Sequence, residues 1–166
     1  MDAERVIKFL NNQGVECKFI AYEDMHEIKD IEQLAPRTLI LYQLKGLNGI
    51  GHFCCFIKNS KGNIFFDSLG GQPDGTLKYM NDETSEELNH DYKYLTELLA
   101  RGGGVDYNNY HLQAQDKSTC GAWCAMRLLC YELSNDEFAK CFKNIKNKDK
   151  ALVKVFEDIE KGVLKY

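Results

Sequence analysis

The sequence contains no apolar run long enough to cross a bilayer, no apolar signal segment behind Met1, no CxxC pair and no excess of basic residues. Each absence removes a class of protein. Without an apolar span the chain is expected to be soluble and to make no membrane contact. Without a leader, the seven cysteines at 17, 54, 55, 120, 124, 130 and 141 are expected as reduced thiols in a cytosolic setting, since a chain of 166 residues folds without disulfide staples. Neither these cysteines nor His26, His52, His90 and His111 fall at zinc-finger spacing, so no metal is expected. A formal charge of −4 argues against a face devoted to nucleic acid, and any DNA contact is expected to be local. There is no internal repeat and no disordered linker. What is present, 44% hydrophobic residues, is enough for one core, and a single domain over 1–166 is expected.

Periodicity divides that domain into elements. Val6, Ile7, Phe9 and Leu10 predict a helix over 3–13 ended by Gly14, followed by a strand over 17–22. A helical turn over 31–34 stops at Pro36, and the apolar run 38–44 reads as a buried strand. Residues 53–58 and 63–67 flank the turn Asn59-Ser60-Lys61-Gly62 and predict an antiparallel hairpin that leaves His52 and Asp67 at the same end. A helix is expected over 85–99, stopped by Gly102-Gly103-Gly104, and a strand over 107–112. The segment 120–133 is apolar nearly all round except for Arg127 and Glu132, the pattern of a helix buried in the core. Two terminal helices, 136–146 and 149–161, complete the chain, the second with Leu152, Val155, Phe156 and Ile159 on one side.

The chemistry gathers at four positions. A thiol attacks a carbonyl as the thiolate, which the positive end of a helix and a neighbouring imidazolium both favour. Cys120 has the first, with Ser118 or Thr119 as N-cap and Gly121 leaving the backbone open to a substrate. His52 would supply the second, with Asp67 orienting the ring. Acyl transfer also needs donors for the oxygen that becomes negative, and Gln113, ending the 107–112 strand, is preferred over Gln115 in the loop beyond it. Each residue alone has a plainer role: a strand-end histidine, a turn aspartate, a small hydrophobe in a core helix. Their joint occurrence in the order His, Asp, Gln, Cys reverses that weighting. Cys124, one turn after Cys120, is read as core packing because two cysteines on one helix at that spacing do not reach disulfide geometry. Cys54 and Cys55 must face opposite sides of their strand, so at most one borders the site. Trp123 is read as a core anchor.

Gly51-His52-Phe53, Phe66-Asp67-Ser68-Leu69-Gly70 and the stretch from Gln113 through Cys120-Gly121-Ala122-Trp123-Cys124 resemble the adenovirus maturation protease family (adenain) and, more distantly, the ubiquitin-like-protein proteases. The resemblance covers roughly residues 4–133. It implies an α+β cysteine-peptidase fold in which a central helix carrying the nucleophile packs on a mixed sheet. It further implies a thiol protease acting without metal or organic cofactor on capsid and core precursor proteins in the virion and in the viral factory of the host cytoplasm. The compact size is similar to the versions that mavirus-type virophages encode. Phe53 stands where that family commonly has Trp. The family's stimulation by DNA is expected to be weak here, since the lysines at 140, 143, 146, 148, 150 and 154 read as a solvated face. A monomer is the expected state. Three alternatives remain open: a deconjugase of ubiquitin-like proteins, a catalytically idle scaffold, and a thiol acyltransferase.

Overall fold

The computed structural model of the protein describes residues 1–43, 51–80 and 82–166. A five-stranded sheet runs through it in the order β1 (Lys18–Ala21), β2 (Arg37–Tyr42), β3 (His52–Asn59), β4 (Gly62–Phe66), β5 (Asp106–Tyr107). The two outer pairs are parallel and the two inner pairs antiparallel, so the sheet is mixed. The helices are α1 (Ala3–Asn12), α2 (Asp82–Glu87), α3 (Tyr94–Arg101), α4 (Cys120–Leu129), α5 (Asn135–Lys140) and α6 (Lys148–Glu160).

Alternation along β3 sets the layers. Phe53, Cys55 and Ile57 face a core shared with α1, α4 and α6, while Cys54 and Phe56 face a second core built from Tyr22, Met25, Leu95, Leu98 and Leu99. Helix α4 lies between the sheet and the outer helices, and every residue from Gly121 to Leu129 is buried. That burial explains why its sequence is apolar all round, each large aliphatic side chain contributing about 1.5–3 kcal/mol. The charged exception, Arg127, is fully buried and donates to the Asn135 side chain and to the carbonyls of Cys130 and Leu133. The result is the expected α+β arrangement, a central helix beginning at Cys120 packed on a mixed sheet.

Several elements depart from the sequence expectations. The helix expected over 85–99 is two helices, because Asn89 takes a left-handed conformation with φ 53° and the chain bends before α3 begins at Tyr94. The strand expected over 107–112 is only Asp106–Tyr107. Past Tyr107, the Asn108 side chain replaces strand pairing: it accepts from the Asp67 N–H (3.1 Å) and donates to the carbonyls of Asp67 (2.6 Å) and Tyr110 (3.0 Å). Helix α4 ends at Leu129 rather than 133, and Val155 is exposed while Leu152, Phe156 and Ile159 are buried. The run 38–44 is strand as far as Tyr42, and its end at Leu44 lies outside the described residues.

Candidate active site

The hairpin β3–β4 carries the first two groups. Its loop is Ser60-Lys61, with Gly62 at φ 106°, and the register pairs Cys55 with Phe66, which leaves His52 and Asp67 together at the open end. His52 Nε2 lies 2.8 Å from Asp67 Oδ1, and both residues are buried. Asp67 is itself held: Oδ1 accepts from the Leu69 N–H at 2.9 Å, and its backbone is clasped by Asn108. The imidazole can therefore turn only a little, and its remaining nitrogen is committed to the other side of the site.

Cys120, the first residue of α4, lines the same cleft as His52 and lies close enough for the two groups to perturb each other's charge. Burial raises the thiol pKa, but the nearby His52 and the backbone groups of Phe53 and Gly121 outweigh it, and the net shift is downward. For His52 the balance also favours charge. Burial opposes protonation, yet the hydrogen bond to the Asp67 carboxylate and the nearby Cys120 thiol lift the imidazole above its ordinary range. The two shifts together favour a thiolate–imidazolium pair.

Gln113 and Gln115 both line the same open cleft as Cys120, His52 and Asp67, a cleft of about 1560 Å³. They differ in how firmly they are held. Gln115 is exposed, whereas Gln113 is 4% exposed and fixed at both ends of its amide. Its Oε1 accepts from the Ser68 hydroxyl at 2.6 Å, and its Nε2 donates to the Lys117 carbonyl at 2.5 Å. An amide nitrogen carries two hydrogens, so one stays available to an oxyanion. Gln113 does not end a strand, as the sequence had led one to expect; its backbone N–H and that of Leu112 both donate to the Ser68 carbonyl instead. Asp67 and Ser68, adjacent in sequence, thus fix the histidine and the glutamine respectively.

One local expectation changes. Thr119 is the N-cap of α4, but its hydroxyl donates to Asp149 and leaves the first-turn amides uncapped. Gly121 is buried, and a Cβ there would come within 3.3 Å of the exposed Met1 side chain. Gly70 is a stricter case, since its φ is 78° and a Cβ would meet the Tyr110 carbonyl at 2.8 Å, which locks the cleft loop against the 108–113 segment.

Cys54, rather than Cys55, borders the site. The ligand atoms of His52, Cys54 and Asp67 lie within 4.8 Å of one another, so the group is also a possible chelate for a thiophilic cation, at the cost of the His52–Asp67 hydrogen bond. Burial, then the Asp67 charge, pushes the Cys54 thiol up, which keeps it protonated beside the ionised pair. Cys124 is fully buried in the core and Trp123 likewise, with its indole donating to Asp149. Sequence reasoning missed Ser68, Asn108 and Asp149. One signal for the last was present: a buried tryptophan needs an acceptor for its N–H.

No protein-family model matches the chain. An uncharacterised protein of the Sputnik virophage, V9, is 33% identical over 140 residues, covering 81% of this chain and 78% of V9. Among solved structures, the SUMO protease Ulp1 with its catalytic cysteine oxidised to a sulfinic or a sulfenic acid superposes at a TM-score of 0.44 with 15% identity, covering 98% of this chain and 76% of Ulp1. That superposition is too loose to bear on mechanism.

Proposed function

The chain belongs to the family of the Sputnik virophage protein V9, and we propose that it is a cysteine endopeptidase that processes capsid and core precursor proteins during virion maturation. One observation carries the reading. A buried imidazole–carboxylate pair, 2.8 Å apart, shares one cleft with the thiol at the head of the central helix and with a buried glutamine amide.

In the proposed reaction His52 takes the proton of Cys120, and Asp67 accepts from Nε2 and stabilises the resulting imidazolium. The thiolate adds to a peptide carbonyl. The free N–H of Gln113 Nε2 and the Cys120 amide receive the oxyanion, and His52 then protonates the leaving amine. Water, activated by the same imidazole, releases the acyl group. The reaction as written draws only on these side chains. Virion and viral factory are the proposed sites of action, and DNA is expected to have at most a weak effect.

The test is incubation of wild type and Cys120→Ala with the capsid and core precursors of the encoding element, read by intact mass. Discrete fragments that depend on Cys120 are expected. Intact precursor, alongside labelling of Cys120 by an electrophilic ubiquitin-like probe, would replace this reading with a deconjugase.

A further inference from the structure

Between Gln113 and Cys120 the chain forms a short loop whose two ends carry the oxyanion donors, and no strand pairing joins them. Both ends meet on one side chain. Asp149, in the first turn of α6 and 7% exposed, accepts from the Ala114 N–H at Oδ2 (2.9 Å). Its Oδ1 accepts from the Trp123 indole (2.9 Å) and from the Thr119 hydroxyl. Ala114 follows Gln113, Thr119 precedes Cys120, and Trp123 lies one turn further along α4.

We propose that Asp149 is a positioning residue for acyl transfer, which sets the separation between the Gln113 side-chain amide and the Cys120 backbone N–H by tying the two ends of this loop to α6. The proposal rests on the peptidase reading above. A carboxylate suits the role because it offers only acceptors to three converging donors; an asparagine would turn an NH₂ toward one of them. Within the loop, the Lys117 N–H donates to the Ala114 carbonyl and Gln113 Nε2 to the Lys117 carbonyl, so a shift of Ala114 moves the glutamine directly. Asp149 is absent from the cleft lining, and it contacts neither the Cys120 sulfur nor His52.

That separation makes the role testable with two reagents. Iodoacetamide alkylates Cys120 by forming a C–S bond and expelling iodide, with no oxyanion. p-Nitrophenyl acetate acylates it: the thiolate adds to the carbonyl carbon, charge moves to the oxygen, and collapse expels nitrophenolate. Only the second reaction uses the donors that Asp149 aligns. Rates at Cys120 are measured by mass spectrometry for wild type, Asp149→Asn, Thr119→Val and Cys120→Ala between about pH 6 and 9, with peptide cleavage in parallel. In Asp149→Asn, acylation and kcat are expected to fall about 10²-fold, the scale of one lost oxyanion donor, with KM and the alkylation pH profile unchanged. Thr119→Val keeps the carboxylate and two of its donors, and acylation is expected to fall about tenfold. It carries the same comparison if Asp149→Asn does not fold. Loss of alkylation in step with acylation would make Asp149 a purely structural residue, and undiminished acylation would remove the role altogether. A wild type that acylates no faster than Cys120→Ala sinks the peptidase reading itself, whereas an active wild type beside an equally active Asp149→Asn sinks only the present proposal.

Discussion

At the scale of the residue, the chemistry rests on how one thiol differs from its neighbours. Burial pushes Cys17 up to about 12 and raises Cys54, Cys124 and Cys130 as well, whereas the neighbouring His52 brings Cys120 down. A lowered thiol pKa means that thiolate persists below the ordinary value of about 8.5, where a free cysteine loses about tenfold in thiolate per pH unit. Alkylation of Cys120 should therefore stay nearly level as pH falls past that value and decline only at lower pH. In His52→Ala burial is opposed only by the backbone groups of Phe53 and Gly121, and the midpoint should move up; a profile that stays put would show that His52 does not set it. The raised imidazole acts on the other limb. His52 keeps its proton above its ordinary value of about 6.5, so peptide cleavage, which in the proposed reaction needs that proton for the leaving amine, should persist into alkaline pH. Asp67→Asn removes the acceptor charge that stabilises the imidazolium, and kcat is expected to fall by about 10²–10⁴-fold with thiol alkylation shifted to higher pH.

At the scale of the element, the hairpin was legible and the segment facing it was not. Two apolar runs, the Asn59–Gly62 turn between them and the antiparallel rule together predict that His52 and Asp67 share an end, and the register of β3 on β4 places them there. The strand expected over 107–112 fails because its pattern, Tyr107, Tyr110 and Leu112, is equally satisfied by a loop whose backbone groups are served by side chains. Asn108 takes both the N–H and the carbonyl of Asp67, a substitution of amide for backbone that no periodicity announces. Asn108→Ala would leave those two buried groups unpaired, at about 1–3 kcal/mol each, so unfolding by urea should show a loss of about 2–6 kcal/mol. The same variant loosens the carboxylate that orients His52, and kcat should drop more than stability at 25 °C alone explains. A variant with the stability loss but wild-type kcat would show that Asp67 holds its place without the clasp.

At the scale of the whole molecule, the four candidate residues, which share one cleft, could be picked out because each announces itself locally: a helix start, two hairpin ends, a glutamine shortly before the cysteine. Asp149 does not, because its role depends on α6 crossing back to residues 26–35 positions away, and contacts of that span have no signature in local sequence. Helix α6 is accordingly doing two separable things. Its first turn holds the loop before Cys120, while its middle covers the core, with Phe156 fully buried and its ring 4.4 Å from that of Phe9 on α1. These functions lie on one helix, yet Phe156 is absent from the cleft lining and Asp149 from the aromatic contact with α1. Phe156→Ala should therefore cost about 3–5 kcal/mol and lower Tm by roughly 6–20 °C, the range for a large-to-small change in a core of this size. Activity per folded molecule, assayed well below the new Tm, should remain at the wild-type level, and the ratio of acylation to alkylation at Cys120 should not change. A fall in that ratio would mean that the loop before Cys120 takes its position from the packing of α6 as a whole rather than from the carboxylate at its start.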